Sequence, residues 1–151
     1  MIEYTIHKQT EKTVEVIIID PESGLTHNRV INIGDCSTQA LLDERIESHL
    51  RAFKHRVTVG AITESSIPVA DLPTDIVIDT ALSKESKLAL ATVIEAKAAE
   101  QKTATEEQLT RLNSETKKDQ AAIDAATTKL AALAAAVETV ALDKSNIEKE
   151  V

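Results

Sequence analysis

From Ala81 to Val151 the chain contains no Gly, no Pro and no aromatic residue, and 17 of those 71 residues are Ala. Nothing in that stretch breaks a helix, and alanine is the best helix former. All three Gly (24, 34, 60), all three Pro (21, 68, 73) and both aromatics, Tyr4 and Phe53, lie in the first 73 residues. The shift divides the chain into three parts. A small α+β attachment domain spans 1–62, an acidic Pro-containing linker spans 63–80, and an Ala-rich helical multimerisation region spans 81–151.

The first part begins as strands. Ile2, Tyr4 and Ile6 alternate with Glu3, Thr5 and His7, which is the two-residue period of a strand. TVEVIII (13–19) is β-branched, with Val14, Val16 and Ile18 on one face. In DPESG (20–24), Pro21 presets φ for a turn and Gly24 tolerates the positive φ that lets the chain return. LTHNRVINI (25–33) is the returning strand, completing a three-stranded antiparallel meander. Ser37 or Thr38 then caps a helix. Leu42, Ile46, Leu50, Phe53 and Val57 fall on one stripe of it. This helix is expected to cover the sheet face that carries Tyr4 and Val16. VTVGAI (57–62) is expected to add a fourth strand, either to this sheet or to that of a neighbouring chain.

The linker TESSIPVADLPTDIVIDT holds four acids and no base. It reads as an extended, solvated segment with Ile76–Ile78 as a short strand. Asp71, Asp75 and Asp79 recur every fourth residue, but the calcium-loop pattern is absent and Pro73 prevents one helix from presenting all three.

The helical region keeps a heptad from Leu109 to Ile147; extended backwards it catches Leu88 and Ala91 and then fails at Glu95 and Lys102. With Leu109 at position a, the a row runs Leu109, Thr116, Ile123, Leu130, Val137, Lys144. The d row runs Leu112, Asp119, Ala126, Leu133, Val140, Ile147. Such a repeat predicts a coiled coil or a narrow bundle. Positions e and g are rich in Ala, so the apolar face is wide and suits three or more closely packed helices. The seam is Leu109, Leu112, Ile123, Ala126, Leu130, Leu133, Val137, Val140 and Ile147. The phase survives the polar stretch NSETKKDQ (113–120), which favours a continuous rod, roughly 100 Å long at 1.5 Å per residue. A hairpin, with Asn113 or Ser114 capping its second helix, is the other architecture.

Composition narrows the function classes. The formal net charge of −8 disfavours nucleic acid and anionic membrane surfaces as partners. The start MIEYTIHKQTEK lacks the pattern of a secretory signal. No run is expected to match a membrane span. Cys36 is the only cysteine, so neither an internal disulfide nor a cysteine zinc site is expected. His49 and His55 lie six apart, not at the helical ligand spacing of four. No phosphate loop or nucleophile elbow is present. The expectation is a protein without enzymatic activity, cofactor or metal. Arg45, His49, Arg51, Lys54, His55 and Arg56 form a local basic patch, a candidate surface for an acidic partner.

The segment YTIHKQTEKTVEVIIIDPESGLTHNRVINI, the helix ending LRAFKHRV and the Ala-rich tail TEEQLTRLNSETKKDQAAIDAATTKLAALAAAVETVAL together resemble small virion proteins of tailed bacteriophages. The resemblance is one of style and carries no functional residue across. It implies a structural fibre, neck or tail component, assembled in the host cytoplasm. In such a component the N-terminal domain docks to other virion proteins and the helical region forms a homo-oligomer, trimers being usual in such fibres. A tail assembly chaperone and a helical scaffold or adaptor are the alternatives.

Overall fold

A computed structural model describes residues 1–151 except Asp35, Val69 and Asp71. It is an α+β fold. Strands β1 (Glu3–Gln9), β2 (Thr13–Asp20) and β3 (Leu25–Asn32) form an antiparallel sheet in the order β1-β2-β3. Helices α1 (Gln39–Thr58), α2 (Lys84–Ser114) and α3 (Gln120–Glu148) follow.

The β2–β3 turn forms as its residues dictate. Gly24 has φ of +73° and its N–H donates to Asp20 O at 2.8 Å. The Asp20 carboxylate, buried under the turn, accepts from Glu22 N at 3.2 Å and from Ser23 Oγ at 2.9 Å.

Strand β2 is buried on both faces. Val14, Val16 and Ile18 pack under α1 with Ile31, Leu42, Ile46, Phe53 and Ile62. Ile17 and Ile19 point the other way, onto Leu90 and Ile94 of α2, Val140 of α3, and Ile76 and Leu82 of the intervening segment. The sheet is therefore the middle layer of three. A run of consecutive β-branched residues is what a strand covered on both sides requires.

The long helices fold back on each other. Residues 115–119 turn, and Asp119 caps α3 by accepting from Ala122 N at 3.1 Å. The continuous rod expected from the heptad phase is thus replaced by a helical hairpin, and its cap is Asp119 and not Asn113 or Ser114. The helices run antiparallel. Lys84 Nζ donates to Glu148 O at 2.9 Å and to Glu150 O at 2.8 Å, Lys87 pairs with Glu150 at 2.8 Å, and Lys144 pairs with Glu95 at 3.5 Å.

Several local expectations are corrected. Tyr4 pairs with Ile18 and so shares the α1 face, but it sits on an edge strand and is 38% exposed. No strand forms over 57–62. Helix α1 continues to Thr58, Gly60 turns the chain at φ +73°, and Ile62 returns to the core. Ile76–Ile78 is not a strand, because Ile76 plugs the second core layer after a 3-10 turn at Pro73–Asp75. The segment after α1 is also less solvated than its acidity suggests. Ser66 N donates to Thr26 O, Ser65 Oγ and Ser66 Oγ accept from Thr26 N and Asn28 N, and Pro68 and Pro73 are buried. Asp75 accepts from Leu72 N and Asp79 from Ala81 N, so these acids cap turns. Asp71 lies outside the described residues.

Finally, α3 is long and apolar enough to cross a membrane by length and composition, contrary to the expectation that no run matches a span. Alanine supplies the hydropathy without the bulk. In this fold α3 packs against α2, and through Val140 against the sheet layer.

Candidate functional site

Two surfaces contain the residues singled out by the sequence. The first is the helical hairpin. Its d row is closed within the chain: Leu112, Ala126, Leu133, Val140 and Ile147 are all buried. The same phase runs back through α2, where Ala91, Ala98 and Thr105 are buried. The Lys87–Glu150 and Glu95–Lys144 pairs fix the register. In that register Ala91 lies level with Ile147, Ala98 with Val140, Thr105 with Leu133 and Leu112 with Ala126. Each layer sets a small residue against a larger one, which fills space between closely approaching helices.

The a row is left on the flank. Leu109, Ile123, Leu130 and Val137 are only half-buried. Only 22% of the most apolar stretch of α3 is buried in the chain. On the opposite flank an open groove of about 960 Å³ runs between the helices, lined by Ala70, Leu72, Gln101, Thr105 and Ala132 among others.

The second surface is the basic patch, which the structure splits. At 100° per residue, Arg45, His49 and Arg56 share one flank of α1, facing β3. Arg51 lies across the helix and pairs with Glu47 at 3.6 Å. Lys54 lies on the other flank, 2.9 Å from Glu22 and 3.5 Å from Asp20. That contact holds the Glu22 carboxyl below its usual range and the Lys54 ammonium above its own. His55 is exposed in the last turn.

In place of Arg51, Lys54 and His55, the structure brings His27 and Arg29 of β3 to the group. Both project to the α1 side, since they pair with Ile18 and Val16. Helix α1 runs antiparallel to β3: Arg45 Nη1 donates to Asn32 O at 2.9 Å, and the Phe53 ring stands edge-on to His27 at 5.9 Å. Burial pushes the His27 imidazole below its usual range, and Arg29 and Arg56 push it further. His49 is lowered by burial and then by Arg29 and Arg45. Cations therefore line one seam. The β3 members escaped sequence reading because strand alternation in HNRVI leaves the buried face ambiguous until α1 is placed.

Among the described residues no group of three His, Cys, Asp or Glu is arranged to hold a metal. No family model matches the chain, and neither a curated protein nor a solved structure matches it.

Proposed function

We propose that this chain is a non-enzymatic structural component of a tailed-bacteriophage particle. In this reading the sheet unit docks to other virion proteins and the helical hairpins of several copies, three by preference, join into one bundle. The sequence resemblance supplies the setting. The observation that carries the assembly role is the half-buried a row of Leu109, Ile123, Leu130 and Val137 beside a largely uncovered alanine surface on α3. A two-helix hairpin of this length is an incomplete bundle, and small side chains let further helices approach closely.

The a and d rows, three or four residues apart on the same helix, respond differently. Leu130→Asp with Val137→Asp is expected to reduce the mass measured by light scattering to that of one chain while the helical circular dichroism persists. Leu133→Asp, in the closed d row, is expected to unfold the hairpin. An unchanged multimer in the double variant would count against the a row as the assembly face.

A second reading, an assembly chaperone or adaptor, is favoured by one feature. The d row is already satisfied within one chain, so the a row can receive a foreign helix. A wild-type chain that is monomeric at all concentrations supports this reading over the first.

A further inference from the structure

The seam between β3 and α1 combines charge with an unfinished sheet edge. Arg29 of β3 and Arg45, His49 and Arg56 of α1 line it, with His27 at its base. None of these five makes an ion pair among the described residues, although the chain as a whole carries eight more negative than positive charges. Strand β3 contributes no carboxylate to it. The acids of α1, Asp43, Glu44 and Glu47, lie on other sides of the helix by its 100° spacing. Glu15 of β2 faces the α2 side, where it meets Asn28 Nδ2.

The outer edge of β3 runs along the same seam. Thr26 N, Thr26 O and Asn28 N are taken by Ser65 and Ser66, and Asn32 O is taken by Arg45. By strand parity the N–H and C=O of Val30 also point outward, and neither has a partner among the described residues. The Val30 side chain is 61% exposed. An open main-chain rung between two closed ones accepts another extended backbone.

We propose that this seam is a docking site for an extended acidic peptide segment of a partner protein, with carboxylates against Arg29, Arg45 and Arg56 and main-chain bonds at Val30. A long polyanion fits less well: the net charge of the chain repels it at range, and phosphate groups do not complete a strand edge. The site names the docking surface of the sheet unit in the function proposed above. It lies apart from the hairpin, so the assembly variants leave it intact, and either proposal can fail alone.

The test titrates the intact, isotope-labelled chain with a capped synthetic octapeptide of alternating Glu and Val. Expected are a shift and slowed exchange of the Val30 amide, and binding weakened about tenfold or more by Arg29→Glu with Arg45→Glu. Arg51→Glu, across the helix, should bind as wild type. Arg29→Gln alone, checked for an unchanged melting curve, should bind more weakly and covers the case in which the double reversal does not fold. Proline at the centre of the peptide should abolish the Val30 response. The proposal is overturned if the Val30 amide is silent, or if Arg51→Glu weakens binding as much as the seam variants. It is also overturned if sodium tripolyphosphate reproduces the Val30 response, or if the seam variants instead dissociate a dimer of this chain.

Discussion

Glu3 lies at the N-terminal end of an edge strand, yet its carboxylate reaches a helix 80 residues away. It accepts from Ser83 N at 3.2 and 3.3 Å, from Ser83 Oγ at 2.6 Å, and from Ser86 Oγ. Ser83 caps α2 in turn by accepting from Ser86 N at 3.3 Å, and Ser86 is fully buried. The sheet thus holds the first turn of the hairpin, and an anion there complements the helix dipole. Glu3→Gln keeps an acceptor but discards the charge. Bonds to charged groups contribute about 1.5–3 kcal/mol and neutral ones about 0.5–1.5. With the site half-buried, the loss is about 1–1.5 kcal/mol net. For a chain of this size that is a Tm fall of about 2–6 °C at pH 7.

The pH dependence follows from the same contacts. Burial raises the Glu3 pKa, but the hydrogen bonds from Ser83 and Ser86 outweigh it and leave the carboxyl below its usual value of 4.5. A carboxyl lowered in the folded state adds stability that is complete above the unfolded pKa and disappears as pH falls through the folded one. The Tm gap between wild type and Glu3→Gln is therefore widest above pH 4.5 and closes on further acidification. Taking the difference cancels the effect of the other carboxyl groups. Equal stability at pH 7, or a gap that persists at the acid limit, would refute the latch.

Two further substitutions test the layering. Ile17→Ala empties a site on the α2 side of β2 and is expected to cost about 2–5 kcal/mol in denaturant unfolding, whereas Ile6→Ala, on the half-exposed edge strand, costs far less. A small effect at Ile17 would mean that the hairpin does not cover the sheet. Asp20→Ala frees Glu22 N and Ser23 Oγ in the β2–β3 turn and should cost about 1–3 kcal/mol, measured the same way. Glu22→Ala removes an exposed carboxylate and its surface pair with Lys54, and should be far milder.

The meander, its turn and the α1 stripe were legible because each rests on local rules: alternation, Asp-Pro and Gly in the turn, and Thr38 as a cap. The second covered face of the sheet was not read, although the consecutive run Val16–Ile19 carries its signal, since a one-sided strand does not need it. The hairpin was harder. Five turn residues without Gly or Pro leave the heptad phase unbroken, so periodicity alone favours a rod. The discriminating signal is size rather than period. Read backwards against itself, the d row pairs Ala98 with Val140, Thr105 with Leu133 and Leu112 with Ala126, a match of small to large that a parallel rod does not require. The basic seam was half legible. Helical spacing groups Arg45, His49 and Arg56, but Arg29 joins them only through the register of β3 beneath α1.

The central claim is that the long helices close on each other within one chain before any copy joins another. In a Cys36→Ser background, spin labels at Glu85 and Lys149 sit on the adjoining ends of α2 and α3. Double electron–electron resonance on labelled chains diluted into unlabelled ones should give a separation within about 25 Å, from helix axes about 10 Å apart plus the label arms. A rod would separate the same positions by roughly 95 Å, and a distribution at that length would contradict the account.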